Sequence, residues 1–188
     1  THCWLPIVQK HKMFEILYSH SQIAVADAGS LAVFSAILAY SSLQKPPDSF
    51  SLGGVPDGQA ALFSPEQLYV KARQQIPSHE AQGPDYAQAL LILGLYKLDQ
   101  GEFATSWHLI GQAVRIALDS ETLPLNNSHS SNAIFSGKDD KQIQLLLSCF
   151  VLDTVVSCHL GKPPHLRTAD IRVLPMPAET GPDEWEPQ

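Results

Sequence analysis

The residues of this sequence that could do chemistry are scattered, and few have the spacing that a reaction needs. The 188 residues contain no Gly-x-Ser-x-Gly turn, no phosphate-binding glycine loop and no His-Glu-x-x-His motif. The glycine-containing stretch "SLGGVPDG" lacks both a preceding strand and a following helix start with Lys. Ser, His and Asp side chains are present, but a catalytic triad is defined by geometry, and scattered residues do not predict one. The sequence therefore predicts a protein that is not an enzyme.

Histidines and cysteines are the candidate metal ligands, with eight and three residues respectively. Cys158 and His159 are adjacent and so point apart, and no Cys-x-x-Cys pair occurs. We therefore predict no metal site. The odd, widely spaced cysteines indicate a reducing compartment rather than a disulfide framework, and Cys149 lies in an apolar run as a core residue would.

One carboxylate and one guanidinium are the charged groups most in need of explanation. Asp153 interrupts the apolar run "LLLSCFVLDTVV", and a buried carboxylate is costly unless it is paired. Its predicted partner is Arg115, Arg167 or a backbone amide, in a structural or a ligand-binding role. Arg115 either forms a surface pair with Asp119 one helical turn later, or turns inward to anchor Asp153 or an acidic ligand.

Composition limits the partners. Hydrophobic residues make up 44% of the chain and charged residues only 16%, so a sizeable core can form. The 19 acidic and 12 basic residues give a net charge of −7, and the densest basic stretch is "QKHKM". Without clustered Lys and Arg, direct contact with nucleic acid is not expected. The start lacks the basic region and apolar run of a signal peptide, and no apolar run approaches the ~20 residues of a membrane span, so we expect an intracellular chain without a membrane partner.

The apolar periodicity is helical almost everywhere, which predicts an all-α helical bundle with long loops. Ser30 and Ser64 are predicted N-caps, Pro65 opens the third helix, and Gly101 and Gly161 follow the fourth and sixth helices. The polar stretches 45–59 and 120–140 are predicted loops. The six predicted helices span residues 11–18, 30–43, 64–76, 85–100, 102–119 and 140–160.

The fourth and fifth predicted helices are joined by little more than Gln100 and Gly101, so they must pack antiparallel as a central, tetratricopeptide-like hairpin. Gly94 and Gly111 each cost about 1 kcal/mol relative to Ala inside a helix. We predict that both allow the two backbones to approach closely, with Trp107 and Val114 filling the space beside them.

Two stretches together resemble a known family. "YAQALLILGLYKLDQGEFATSWHLIGQAVRIALD" and "CFVLDTVVSCHLGKPPHLRTADIRVLPMP" are similar to the middle homology region, the regulatory domain, of fungal binuclear zinc-cluster transcription factors. Among subfamilies they are most similar to activators of carbon-source catabolism, of the quinate or xylan and plant-polysaccharide type. One departure is that "DDKQIQLLLSCF" replaces an Arg-rich, Trp-containing helix start. The matching positions are Tyr86, Ala89, Leu90, Leu91, Ser106, Trp107, Gly111, Ala113, Arg115, Ala117, Leu152, Asp153, Leu160, Gly161, Lys162, Pro163, Asp170 and Ile171.

The resemblance implies a regulatory domain over residues 1–176, followed by an acidic, Pro-rich tail or linker at 177–188. It implies a nuclear transcription factor that controls RNA polymerase II transcription of catabolic genes. Zinc belongs to a DNA-binding domain whose cysteine repeats are absent from this sequence, so no cofactor is expected here. The implied partners are a small-molecule inducer, a co-repressor protein or other domains of the same protein.

A binding site is expected among the fourth, fifth and sixth helices and the "GKPPHLR" turn. A filled core without a pocket is the alternative, in which case the domain is a helical protein–protein interaction module without a small-molecule ligand. The candidate ligand-binding residues are Trp107, Arg115, Asp153, Lys162, His165 and Arg167.

Overall fold

The computed structural model describes residues 14, 27–44, 64–77, 83–119 and 137–171, with side chains from residue 142 onward in the last range. Within these ranges every regular element is an α-helix, as predicted. The predicted helix at 11–18, apart from Phe14, lies outside the described residues, as do most of both loops and the tail at 177–188. The helices are α1 (Ala28–Leu43), α2 (Pro65–Gln74), α3 (Pro84–Asp99), α4 (Phe103–Asp119), α5 (Gly137–Leu160) and α6 (Thr168–Ile171).

Helix α3 lies at the centre of the bundle. It packs against α1, α4 and α5, while α2 packs mainly against α1. The run "ALLILG" is buried at every position, which confirms that this helix is covered on several sides. Burial all round excludes an amphipathic stripe, so α3 is the element around which the others assemble.

Helix α2 begins as its sequence predicts. The Ser64 hydroxyl accepts from the Gln67 amide at 3.2 Å, and the Gln67 side chain accepts from the Ser64 amide at 2.9 Å. This capping box satisfies two otherwise unpaired donors, and Pro65 at the first helical position loses no hydrogen bond. Only Ala72 is buried within the helix, so α2 lies on the surface of the bundle.

The predicted start of α1 is wrong. The helix begins at Ala28 with Asp27 as its N-cap, two residues before Ser30. Instead of capping, the Ser30 hydroxyl donates to the Asp85 carboxylate of α3 at 3.0 Å. Since Asp85 is 55 residues away, no local signal indicates this use of the serine. The start of α5 at Gly137 likewise corrects the prediction that residues 137–139 belong to a loop.

Helices α3 and α4 form the predicted antiparallel hairpin. Gly101, with φ +79°, turns the chain between them. Lys97 contacts Glu102 next to the turn and Gly94 contacts Ser106 farther from it, so the two helices run in opposite directions. The Ser106 hydroxyl donates to the Gly94 carbonyl at 2.8 Å, which requires the close backbone approach predicted at this glycine. The tetratricopeptide-like detail stays a prediction.

Helix α5 packs on α4 and, over a smaller area, on α3. Among the described residues it alone holds a segment, Gln142–Leu160, that is long and apolar enough to cross a membrane. The expectation that no apolar run approaches that length is therefore wrong as far as length and composition are concerned. Half of this segment is buried within the protein, and Asp153 at its centre is fully buried and hydrogen-bonded. The segment therefore has the features of the core helix of a bundle. The chain turns after it at Gly161, with φ +62°.

Candidate functional site

The buried carboxylate of Asp153 organises the region where α4, α5 and the turn at 161–167 meet. Its side chain is fully buried, and it accepts four hydrogen bonds. Oδ2 accepts from the backbone amides of His165 at 2.5 Å and Leu166 at 2.9 Å. Oδ1 lies 2.7 Å from Nδ1 of His165 and accepts from the Ser157 hydroxyl at 3.4 Å. A buried carboxylate with this many donors is fully satisfied, and it fixes the turn against the helix.

Asp153 also affects a neighbouring thiol. Cys149 lies one helical turn earlier and is completely buried. Burial, and to a smaller extent the negative charge of Asp153, raise the pKa of the Cys149 thiol to about 12. Cys149 is therefore a neutral core residue, as its apolar surroundings predicted, while Cys158 on the same helix is exposed.

The His165 ring lies between Trp107 and Gly111 of α4. Its centroid is 4.3 Å from that of Trp107, at an interplanar angle of 38°. A Cβ atom placed on Gly111 would come within 2.5 Å of His165 Nε2, so only glycine leaves room for the ring. The prediction that Gly111 allows close approach to α3 is therefore wrong, because this glycine faces the turn after α5.

Trp107 contacts two further polar residues of this region, Ser157 and Lys162. Its indole N–H donates to the Ser157 hydroxyl at 3.1 Å, and the ammonium of Lys162 lies 4.3 Å from its ring centroid. Trp107 is half-buried and Lys162 is exposed, so the cation and part of the ring face solvent. A cation over an indole face is a favourable contact, worth about 0.5–1 kcal/mol at an exposed site.

Four of the six predicted site residues therefore lie together, and two do not. Trp107, Asp153, Lys162 and His165 form one contiguous cluster. Arg115 is exposed, and the hypothesis that it turns inward to Asp153 is wrong, because His165, Leu166 and Ser157 already occupy that carboxylate. No ion pair between Arg115 and Asp119 occurs within the described part of the chain either. Of the partners predicted for Asp153, the structure has the backbone amide.

Arg167 is also exposed, and only its backbone takes part in a described contact. Its amide donates to the Asp170 carboxylate at 2.8 Å, which starts the short helix α6. Its position near the cluster follows from the chain, since it lies two residues after His165.

Sequence reasoning missed two residues of this cluster. Ser157 bridges Asp153 and Trp107, and Gly111 accommodates His165. The sequence could have indicated Ser157, because a hydroxyl four residues after a buried carboxylate lies on the same helix face and can donate to it. For Gly111 the signal was read correctly as a steric requirement, but the wrong neighbour was inferred.

A second polar cluster, away from the first, surrounds Lys97. This lysine is only 6% exposed, and its ammonium lies 3.0 Å from Glu102 and 3.9 Å from Glu66. The rings of Tyr69 and Tyr96 stack at 4.9 Å, and the ammonium lies 4.4 Å from the Tyr69 centroid. The hydrogen bond from Lys97 lowers the pKa of the Glu102 carboxyl. The cluster ties α2 to the turn between α3 and α4.

The geometry of the Asp153 cluster does not favour acid–base chemistry at His165. The Asp–His pair has the right atoms for proton transfer, but the Nε2 edge of the imidazole packs against Gly111. A general base must reach the proton that it removes, and this nitrogen faces a helix backbone. Over the described ranges no group of three or more His, Cys, Asp or Glu side chains could hold a metal ion. An exposed ammonium beside an indole ring is instead suited to a carboxylate ligand with an apolar face.

Comparison with known proteins gives a family and two relatives. Residues 1–188 match the family described as fungal specific transcription factor domain. The chain is 34% identical over 194 residues to the quinic acid utilization activator of Emericella nidulans, covering all of this chain and 23% of that protein. It is 33% identical over 203 residues to transcription factor qa-1f of Neurospora crassa, covering all of this chain and 24% of that protein. The chain thus spans about a quarter of the length of these curated relatives. No solved structure shows significant similarity to it.

Proposed function

Since this chain belongs to the fungal specific transcription factor domain family, we propose that it is a metabolite-sensing domain that regulates the transcription of catabolic genes in the nucleus. Its role as the regulatory region of a fungal transcription factor follows from the family and from both relatives. The family consists of transcription factors rather than enzymes, and we propose no catalytic role for the domain. Any zinc belongs, in this proposal, to a separate DNA-binding domain.

The observation that carries the proposal is the half-exposed Trp107 ring with the Lys162 ammonium 4.3 Å from its centroid. A ligand carboxylate fits the ammonium, and an alicyclic or sugar ring can contact the part of the indole that faces solvent, beside the Lys162 and His165 groups that cover its centre. The name of one relative refers to quinic acid, a hydroxylated cyclic carboxylic acid. We propose this class of acid as the inducer, because one molecule offers both complementary groups.

The mechanism that we propose is a population shift. A ligand changes the conformational equilibrium only if it binds one state better than another. The cluster joins α4, α5 and the turn at 161–167, so a ligand there stabilises the arrangement in which the turn is held on Asp153. We propose that other domains of the same protein, or a co-repressor, bind differently to the domain in that arrangement.

The first test is a thermal-shift screen of the 188-residue chain against quinate, shikimate-type acids, sugars and sugar acids. A ligand at 100 times its dissociation constant stabilises the fold by about 2.7 kcal/mol, which is a clear shift in melting temperature. Lys162→Gln should abolish the shift with the fold intact, whereas Lys71→Gln, which removes an exposed charge from α2, should preserve it. An unchanged melting temperature with every acid would contradict the sensing role.

A protein–protein interaction module remains the second candidate, and one observation favours it. The outer side of α5 carries no formal charge from Gln142 to Leu160, and Val155 there is 38% exposed. Leu147 and Val151, which precede Val155 at intervals of four residues and are half-buried, extend this apolar side, and a contiguous apolar surface is typical of a protein contact. A Val155→Lys variant that loses a partner but keeps ligand binding would separate the two candidates.

A further inference from the structure

Negative charge is distributed unevenly along this chain. The stretches 103–118 and 154–169 contain no Asp or Glu, although the whole chain has 19 acidic residues. The same stretches hold three of the twelve basic residues, Arg115, Lys162 and Arg167, and three of the eight histidines. An acidic chain thus has two stretches from which negative charge is missing.

Packing brings these two stretches together. Phe103 stacks on His159 at 4.9 Å, Trp107 lies under Lys162, and Gly111 contacts His165. Successive residues of this α4 row are four apart, so they follow one side of the helix, and Arg115 is the next member of the row. We call the exposed side chains along it the basic face; they are His108, Arg115, His159, Lys162 and Arg167.

The carboxylates nearest to the basic face do not neutralise it. Asp153 is fully buried and has four donors of its own. The Asp170 carboxylate accepts a hydrogen bond from the backbone amide of Arg167. No contact between this carboxylate and the Arg167 guanidinium is described. Asp119 lies at the end of α4, one turn beyond Arg115. Among the described residues no ion pair involves Arg115, Lys162 or Arg167, so with respect to these residues the face presents three positive charges beside aromatic rings.

We propose that the basic face binds the acidic segment 179–186 of this chain. That segment, "ETGPDEWE", carries four carboxylates and one tryptophan in eight residues, so its charge and its aromatic group complement the face. It also follows closely in the sequence. Eleven residues lie between Ile171, the last residue of α6, and Asp183, and an extended chain covers roughly 40 Å over the twelve Cα-to-Cα steps that join them.

The strength of such docking depends on the covalent connection. Ion pairs between exposed side chains are individually weak and are screened by salt. A short connection raises the effective concentration of the segment to about the millimolar range, which is enough for a weak site to be occupied. Docking of the acidic segment requires no small-molecule inducer and is tested without one, so its outcome can be distinguished from that of the sensing role even though both involve Lys162.

The experiment adds a fluorescent peptide of residues 177–188 to two forms of the 188-residue chain. In one form the acidic segment is neutralised by Glu179→Gln, Asp183→Asn, Glu184→Gln and Glu186→Gln, and the other form is unmodified. At low salt, fluorescence anisotropy should show saturable binding to the neutralised form and at least about threefold weaker binding to the unmodified form, whose own segment competes. Equal binding to both forms, or no saturable binding to the neutralised form, would overturn the proposal.

Matched variants then locate the site. Lys162→Glu and Arg167→Glu, made in the neutralised chain, should each weaken the peptide by roughly threefold to tenfold, and about 0.5 M salt should remove most of the binding. Lys71→Glu on α2 makes the same charge change and should leave the affinity unchanged. Lys162→Gln, which removes the charge without reversing it, should weaken binding in the same direction. The melting temperature of each variant shows whether it is folded. Equal weakening by Lys71→Glu would mean that net charge alone attracts the peptide, which contradicts docking on this face.

Discussion

Asp153 is a buried carboxylate whose near neighbours are all hydrogen-bond donors. Two backbone amides, one imidazole and one hydroxyl converge on it. Replacing one oxygen by an amide nitrogen in Asp153→Asn places a donor against donors, and we expect the free energy of unfolding to fall by about 2–4 kcal/mol. Urea denaturation at neutral pH measures the loss. Asp170→Asn, which affects one amide contact in a less buried place, should cost less than about 1 kcal/mol; equal losses would contradict this account.

Gly111 is the second residue on which the cluster depends. In an unconstrained helix Gly→Ala stabilises by about 1 kcal/mol, but here the new Cβ meets the His165 ring. We expect Gly111→Ala to lower stability by roughly 1–3 kcal/mol through overpacking. In a His165→Ala background the ring is gone, and the same change should become neutral or stabilising. This double-mutant cycle is measured by chemical denaturation, and an identical cost in both backgrounds would show that the ring is not the cause.

At the scale of elements, α2 is the helix most dependent on polar contacts. It buries only Ala72, and it is tied to α3 through Glu66, Tyr69 and the ammonium of Lys97. We expect Lys97→Met to lower stability by about 1–3 kcal/mol and to reduce hydrogen-exchange protection in α2 more than in α4. Lys71→Met, which removes an exposed lysine from α2 itself, should lower stability by less than Lys97→Met does, because an exposed lysine contributes less than a buried one. Uniform loss of protection in both helices would argue against a specific tie.

The same cluster predicts a pH dependence. Because the Lys97 hydrogen bond lowers the folded-state pKa of Glu102, the folded protein binds fewer protons than the unfolded chain near that pKa. The stabilisation that this hydrogen bond contributes is therefore fully present above the pKa of Glu102 in the unfolded chain, about 4.3. It is lost as the pH falls through the lower pKa of Glu102 in the folded protein. Stability measured at pH 7 and in acid should differ less in the Lys97→Met variant than in the parent chain.

At the scale of the whole molecule, buried tyrosines determine the response to alkali. Burial, followed by contacts with Asp99 and Glu66 respectively, raises the pKa of Tyr40 and of Tyr96 to about 12. Their neutral forms are favoured in the folded state, so this stabilisation is full below the unfolded value of about 10 and is lost as pH rises toward 12. Urea midpoints measured across this range should fall, and Tyr40→Phe with Tyr96→Phe should flatten the fall. Tyrosines that all ionise near pH 10 in the folded chain would contradict the prediction.

The bundle also shows why a core helix can have the composition of a membrane span. Helix α5 has to pack against two neighbours and keeps only one formal charge over Gln142–Leu160. That charge is Asp153, and its partners come from the turn after the helix as well as from Ser157 within it. The assignment of this segment thus depended on its neighbours, because length and hydropathy are the same for both environments.

The sequence by itself determined that helices form and where several of them begin or end. Ser64 with Gln67, Pro65, Gly101 and Gly161 act through bonds and dihedral angles within a few residues, so their effects can be predicted without knowing the fold. It also determined that Asp153 needs partners, because a carboxylate in an apolar run cannot stay unpaired. The family followed from motif residues in α3, α4, α5 and the turn after α5.

Only the tertiary structure decided which partners meet. Ser30 donates to a residue 55 positions away instead of capping its own helix, Gly111 makes room for His165 rather than for α3, and Arg115 is exposed while other donors bind Asp153. Each of these contacts joins groups whose separation depends on how two helices are rotated and packed against each other. Sequence periodicity identifies the buried side of a helix, but it leaves open which neighbour covers that side, and that choice placed four of the six candidate residues in one cluster.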